Sequence, residues 1–131
     1  MIKIINAKNP EVSIHLLPWY VVNDMPRFEI GLRLYDRLQE QPEDTLVLIA
    51  VDETTADVKG MLIAENREDS AFMWQAKVKS GCGASKDLFE RLTTWAKSKG
   101  KTKIVTQTLR VKAAIRLWGF VQQGNNLVKE I

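Results

Sequence analysis

The chain has 131 residues, 45% hydrophobic and 27% charged, a balance that fits one globular domain with its own core, and no apolar run approaches the roughly 20 residues of a membrane-spanning helix. A single cysteine excludes an internal disulfide, and a single histidine argues against a Cys/His zinc site, so no metal is expected. The net charge is +3, yet residues 1–69 carry 7 Lys/Arg against 13 Asp/Glu and residues 70–131 carry 12 against 3. The basic C-terminal half suits a polyanion, nucleic acid or a phosphorylated cofactor, and the acidic half suits a cation such as an amine. The competing reading is solvated helix faces of opposite sign.

Met1–Asn6 lacks the long apolar stretch and small-residue cleavage site of a signal peptide, which makes the cytoplasm the expected location. Ile2–Ala7 reads as a first strand. Asn9-Pro10-Glu11 reads as a helix start, with Asn9 as N-cap, and Pro18 interrupts the apolar stretch Val12–Val22. Pro26 marks the next start, and Phe28, Leu32, Tyr35 and Leu38 form the stripe of an amphipathic helix ending near Gln41-Pro42. Thr45–Asp52 and Val58–Glu65 read as an antiparallel hairpin. Ala71–Lys79 reads as a strand with Phe72, Trp74, Ala76 and Val78 on one face and Met73, Gln75 and Lys77 on the other. A long amphipathic helix spans Lys86 to Lys99. Leu88, Leu92, Trp95 and Ala96 form its stripe, with Ser85 as N-cap and Gly100 as its stop. Lys103–Thr108 is a predicted strand, Val111–Trp118 a short helix, and Gln122–Ile131 an irregular final strand. No repeat or linker divides the chain, so residues 1–131 form one predicted domain.

The segment Val78-Lys79-Ser80-Gly81-Cys82-Gly83-Ala84-Ser85 carries the chemistry. A glycine turn at a helix N-terminus gathers backbone N–H groups without intrahelical partners, backed by the positive end of the helix dipole. That arrangement binds phosphate oxygens without a charged side chain. The same turn can be no more than a tight corner.

The run Gly81-Cys82-Gly83-Ala84-Ser85-Lys86-Asp87-Leu88-Phe89, with Leu92, Trp95-Ala96 and Gly100, resembles the acetyl-CoA-binding motif of the GNAT N-acetyltransferases. Ile104-Val105-Thr106, Thr108, Ala114-Ile115-Arg116-Leu117 and Gly119-Phe120 resemble the next strand, short helix and GF turn of that family. The resemblance covers about Thr45 to Ile131. It implies an α+β, three-layer fold with a mixed, mostly antiparallel central sheet flanked by helices. It also implies acetyl-CoA as co-substrate and direct attack by an amine acceptor, either a small molecule or a protein amino group. Ala76, Val78, Lys79, Ser80, Gly81, Cys82, Gly83, Ala84 and Ser85 would then bind the cofactor, with pyrophosphate on the N–H groups of about residues 80–85. The pantetheine arm would lie along the strand ending at Val78, and the N–H near Val78 would polarise the thioester. The family makes a homodimer the expected assembly. Nucleic acid ranks last, because the basic residues lack an aromatic platform or a reading helix.

Three departures stand out. The family usually has Arg or Gln where this chain has Ser80, and Gly or Ala where it has Ser85. Many members use a tyrosine before the GF turn as general acid, whereas the stretch here is Ile115-Arg116-Leu117-Trp118 and the tyrosines are Tyr20 and Tyr35. The strand Ala71–Val78 contains no carboxylate to act as base. The alternative to an active enzyme is therefore a GNAT-fold protein that binds CoA or a partner without transfer. The candidate catalytic groups are Glu65, which would receive an amine proton through water, and His15, whose intrinsic pKa suits proton transfer. Each competes with a plainer role: Glu65 as a solvated strand-end carboxylate, His15 as a structural or surface residue. Cys82 reads as a tolerated variable position in the turn, Trp74, Trp95 and Trp118 as core residues, and Tyr35 as packed.

Overall fold

A computed structural model of the chain describes residues 1–7, 27–79, 81–107 and 111–131. In chain order these form strand β1 (Ile2–Asn6), helix α1 (Arg27–Glu40), a 3-10 turn (Pro42–Asp44), β2 (Thr45–Asp52), β3 (Val58–Asn66), β4 (Ala71–Val78), helix α2 (Ala84–Ser98), β5 (Lys103–Thr106), helix α3 (Val111–Trp118), β6 (Val121–Gln123) and β7 (Asn126–Glu130). The strands make one sheet in the order β1-β2-β3-β4-β5-β7-β6. Among the described strands, β4 and β5 pair in parallel and every other neighbouring pair is antiparallel.

The central strands are apolar on both faces because both faces are covered. Leu46, Leu48, Ala50, Leu62 and Ala64 point to one side, where α2 docks Ala84, Leu88, Phe89, Leu92 and Ala96. Val47, Ile49, Met61 and Ile63 point to the other, where α1 docks Leu34 and Leu38. The result is the expected three-layer α+β arrangement. Leu88 and Leu92 are fully buried, each contributing about 1.5–3 kcal/mol of hydrophobic stabilisation. Helix α2 ends as the sequence indicates. Gly100 takes φ +76, and the N–H groups of Lys101 and Gly100 return to the carbonyls of Ala96 and Lys97 at 3.0 Å each. This pairing is a Schellman stop.

Two expectations need correction. The docked stripe of α1 is Leu34 and Leu38, whereas Leu32 is 54% exposed; both stripes satisfy helical spacing, and the sheet decides which one it covers. The final segment is not one irregular strand but the β6–β7 hairpin, turned at Gly124 with φ +62. The helix start expected at Asn9 lies outside the described residues. Among those described, no helix is long and apolar enough to cross a membrane.

Candidate functional site

The parallel pairing of β4 with β5 covers only Ala71↔Ile104, Phe72↔Val105 and Met73↔Thr106. Strand β5 stops at Thr106, while β4 runs on to Val78. At the junction the buried Thr106 hydroxyl donates to the Met73 carbonyl at 2.8 Å. From Trp74 to Val78 the edge of β4 that faced β5 has no strand partner among the described residues. An unpaired strand edge is a row of backbone donors and acceptors that an extended, amide-bearing chain can pair with.

Immediately before this opening, β4 carries a bulge. Opposite β3, Ile63 pairs with Gln75 and Ala64 with Met73, so Trp74 is the extra residue. One extra residue reverses the alternation of side chains beyond it. Met73 therefore shares the α2 face with Ala71, Ala76 and Val78. Trp74 packs on the α1 face, as does Gln75 by its pairing with Ile63. The sequence-based expectation of a common face for Phe72, Trp74, Ala76 and Val78 fails at this bulge. Arg33 from α1 lies over the Trp74 ring at 5.2 Å from its centroid.

Strand β4 leads into the glycine turn. The Lys79 N–H donates to Lys59 O at 2.8 Å, and the Cys82 N–H to Lys79 O at 3.4 Å. Gly81 and Gly83 have φ +78 and +77, and nothing approaches within 4 Å of where a Cβ would stand on either. These values lie in the left-handed region that glycine adopts without strain. Gly83, not Ser85, is the N-cap of α2, and no side chain caps it. The N–H groups of Gly83, Ala84 and Ser85 therefore meet at a helix start, where they have no intrahelical partner. The Cys82 N–H is already engaged, so it drops out of the expected donor set. Cys82 Sγ sits 3.8 Å from Lys59 O in a half-buried position. Ser80 lies outside the described residues.

Ser85 has a different task. Its hydroxyl accepts the Trp118 indole N–H at 3.1 Å, and Trp118 stacks on Phe89 with ring centroids 5.1 Å apart. The side chain that stands where the family usually has Gly or Ala is thus turned toward α3. Asp87 is exposed and lines an open groove of about 560 Å³ beside Ile2, Lys3 and Ile4.

Solved structures share this arrangement over almost the whole chain. The aminoglycoside 6'-N-acetyltransferase AAC(6')-Ih from Acinetobacter baumannii is 16% identical, with 93% of this chain and 92% of that chain covered, at a TM-score of 0.72. A GNAT-family acetyltransferase from Streptococcus pneumoniae is 16% identical and covered completely in both directions, at 0.71. AAC(6')-Iy, in complex with a CoA-linked bisubstrate analogue, is 16% identical with 90% of each chain covered, at 0.62. The chain has the GNAT fold. No family model and no curated protein matches it in sequence, so the likeness is one of architecture.

Within this GNAT fold, the candidate base Glu65 is not a solvated strand-end carboxylate. It is 6% exposed. Arg37 Nη1 lies 3.0 Å from Oε2, and Arg67 Nε bonds Oε1 while its guanidinium lies over the Phe72 ring. Both carboxylate oxygens are occupied by cations, which leaves Glu65 suited to holding α1 on the sheet and poorly placed to take a proton. His15 and Tyr20 lie outside the described residues. Tyr35 is half-buried. Gln75 is a residue that sequence reasoning does not single out; its polarity within the run Phe72-Met73-Trp74-Gln75-Ala76 is the one signal that could have found it.

Proposed function

We propose that the chain is an acyl-CoA-dependent N-acetyltransferase that transfers the acetyl group of acetyl-CoA to an amine on a small molecule or protein. The observation that carries this reading is the continuity of three features. The open edge Trp74–Val78 runs directly into the left-handed glycines and the uncapped start of α2. In this reading the edge pairs with the amides of the pantetheine arm. The N–H groups of Gly81, Gly83, Ala84 and Ser85 take the pyrophosphate, with Lys79 and Lys86 flanking the turn. Ala76 and Val78 supply apolar contact on the α2 side. The bisubstrate analogue CoA-S-monomethyl-acetylneamine, in complex with AAC(6')-Iy, supports acyl-CoA and an amine acceptor as the ligand classes.

Chemistry at such a site is mostly positioning. Fixing the amine against the thioester carbonyl lowers the barrier by about 7–11 kcal/mol. The amine adds to the carbonyl carbon, the C–S bond breaks, and CoA leaves as a thiolate that the released proton neutralises. Loss of a dedicated acid or base slows such a reaction about 10²–10⁴-fold without abolishing it.

The test is thermal unfolding with and without acetyl-CoA and CoA. At 100 times its dissociation constant a ligand adds about 2.7 kcal/mol to folding stability, a shift visible in the melting temperature. No shift at millimolar ligand in folded protein contradicts the reading. The occupied Glu65 favours one alternative, a CoA-binding protein without transfer. A melting shift with no thiol release from acetyl-CoA across a broad amine panel selects that alternative.

A further inference from the structure

Gln75 is 9% exposed, yet its carboxamide forms no hydrogen bond with any described residue. It is not sealed from solvent as Arg37 Nε and Asn66 Oδ1 are. A carboxamide that is mostly enclosed, bonds no described residue and still touches solvent keeps its donor open to a ligand. Its place in the fold gives the reason for keeping it. Gln75 follows the extra residue Trp74 of the β4 bulge, two residues past Met73↔Thr106, the last pair that β4 makes with β5. Bulges re-aim side chains at sites of this kind. An extended ligand paired along Trp74–Val78 from the glycine turn would have its far end at this closed end of the opening. Arg33 and Trp74 wall the α1 side of the same place.

We propose that Gln75 is a catalytic residue that recognises the acyl group. Its Nε2–H, in place of the N–H near Val78, donates to the thioester carbonyl oxygen. As the amine adds, the carbonyl π pair moves onto that oxygen, and the hydrogen bond strengthens with the growing charge. When the C–S bond breaks the pair returns, and no proton leaves Gln75. Donors aimed where charge develops accelerate a reaction beyond their effect on binding. The residue therefore distinguishes a thioester from a ligand lacking the carbonyl, and it does so with no acceptor bound.

This proposal rests on the acyl-CoA reading, and calorimetric titration separates the two. Wild-type protein is titrated with acetyl-CoA and with S-ethyl-CoA, a thioether of similar size without the carbonyl. The expected result is a preference for acetyl-CoA of about five- to tenfold, the worth of one hydrogen bond. Gln75→Leu, close in volume, removes that preference and leaves S-ethyl-CoA affinity within about twofold of wild type. Gln75→Glu loses the preference at neutral pH, where a carboxylate faces the carbonyl oxygen. It regains the preference as the pH falls and the side chain becomes a donor again. A purely structural role predicts equal loss for both ligands and no return at low pH. Equal loss, or an undiminished preference in Gln75→Leu, overturns the assignment to Gln75. Binding of neither ligand by wild type overturns the acyl-CoA reading with it.

Discussion

Gly83 bears the strictest demand on a single residue. It caps α2 at φ +77 with no neighbour near the position of a Cβ, so conformation, not space, requires glycine. A side chain in this region costs about 1–2 kcal/mol, and relaxation to negative φ would turn the N–H groups of the turn apart. Gly83→Val is expected to fold and to lose about tenfold or more in CoA affinity by calorimetry. Glu65 makes the opposite kind of demand. Removing its carboxylate leaves Arg37 and Arg67 facing each other across a buried position. Because both arginines reach solvent to different degrees, the expected cost of Glu65→Ala is about 2–3 kcal/mol in chemical denaturation, below that of a fully buried pair. CoA affinity of the folded variant stays unchanged. Loss of acetyl transfer without loss of stability would instead restore Glu65 as the base.

At the scale of elements, α3 is tied to the start of α2 by Trp118, through the Ser85 hydroxyl and the Phe89 ring. Ser85→Ala and Trp118→Phe should each cost about 0.5–1.5 kcal/mol. The double variant should cost clearly less than their sum, because each removes the same hydrogen bond. Ser85→Ala should also leave CoA affinity within about twofold, since its hydroxyl faces α3 and its N–H remains.

Elements fixed by local chemistry were legible in the chain. The apolar runs of β2 and β3 declared a hairpin, and Gly100 after Lys97 and Lys99 declared the end of α2. Elements decided by distant partners were not. In β4 the alternation of Phe72, Trp74, Ala76 and Val78 with Met73, Gln75 and Lys77 reads as unbroken, so it gave no sign that Trp74 was an extra residue. Leu32 and Leu34 fit helical spacing equally well, and Val47, Ile49, Met61 and Ile63 choose Leu34. The arginines that occupy Glu65 include Arg37, from the preceding helix, a pairing no local pattern announces. Gln75 was readable as a polar residue in an apolar strand, but its place beside the β4–β5 junction was not.

At the scale of the molecule, the division of the sequence into an acidic and a basic half is followed by the strand order of the sheet. The boundary between residues 69 and 70 falls between β3 and β4, and the sheet order keeps β1–β3 on one side and β4–β7 on the other. The strands of the acidic half form one side of the sheet, and the basic half carries the glycine turn, although its helix α2 lies across the acidic strands. Ligand attraction by this half should weaken as salt shortens the Debye length from about 10 Å at 0.1 M to about 3 Å at 1 M. CoA affinity independent of ionic strength would count against any role for the basic half. The fold itself is shared with solved GNAT structures at 16% identity, so the likeness is one of architecture, and the chemistry of the proposed site rests on the residues that line it.

In the proposed reading the open edge of β4 and the glycine turn together hold an acyl-CoA. The decisive experiment titrates isotope-labelled protein with CoA and follows backbone amide resonances. The largest shifts should fall in two contiguous groups, Trp74–Val78 and Gly81–Ser85, with small changes at β1 and β2. Shifts centred instead on the groove lined by Ile2, Ile4, Glu53 and Glu90, or no shifts at saturating CoA, would contradict it.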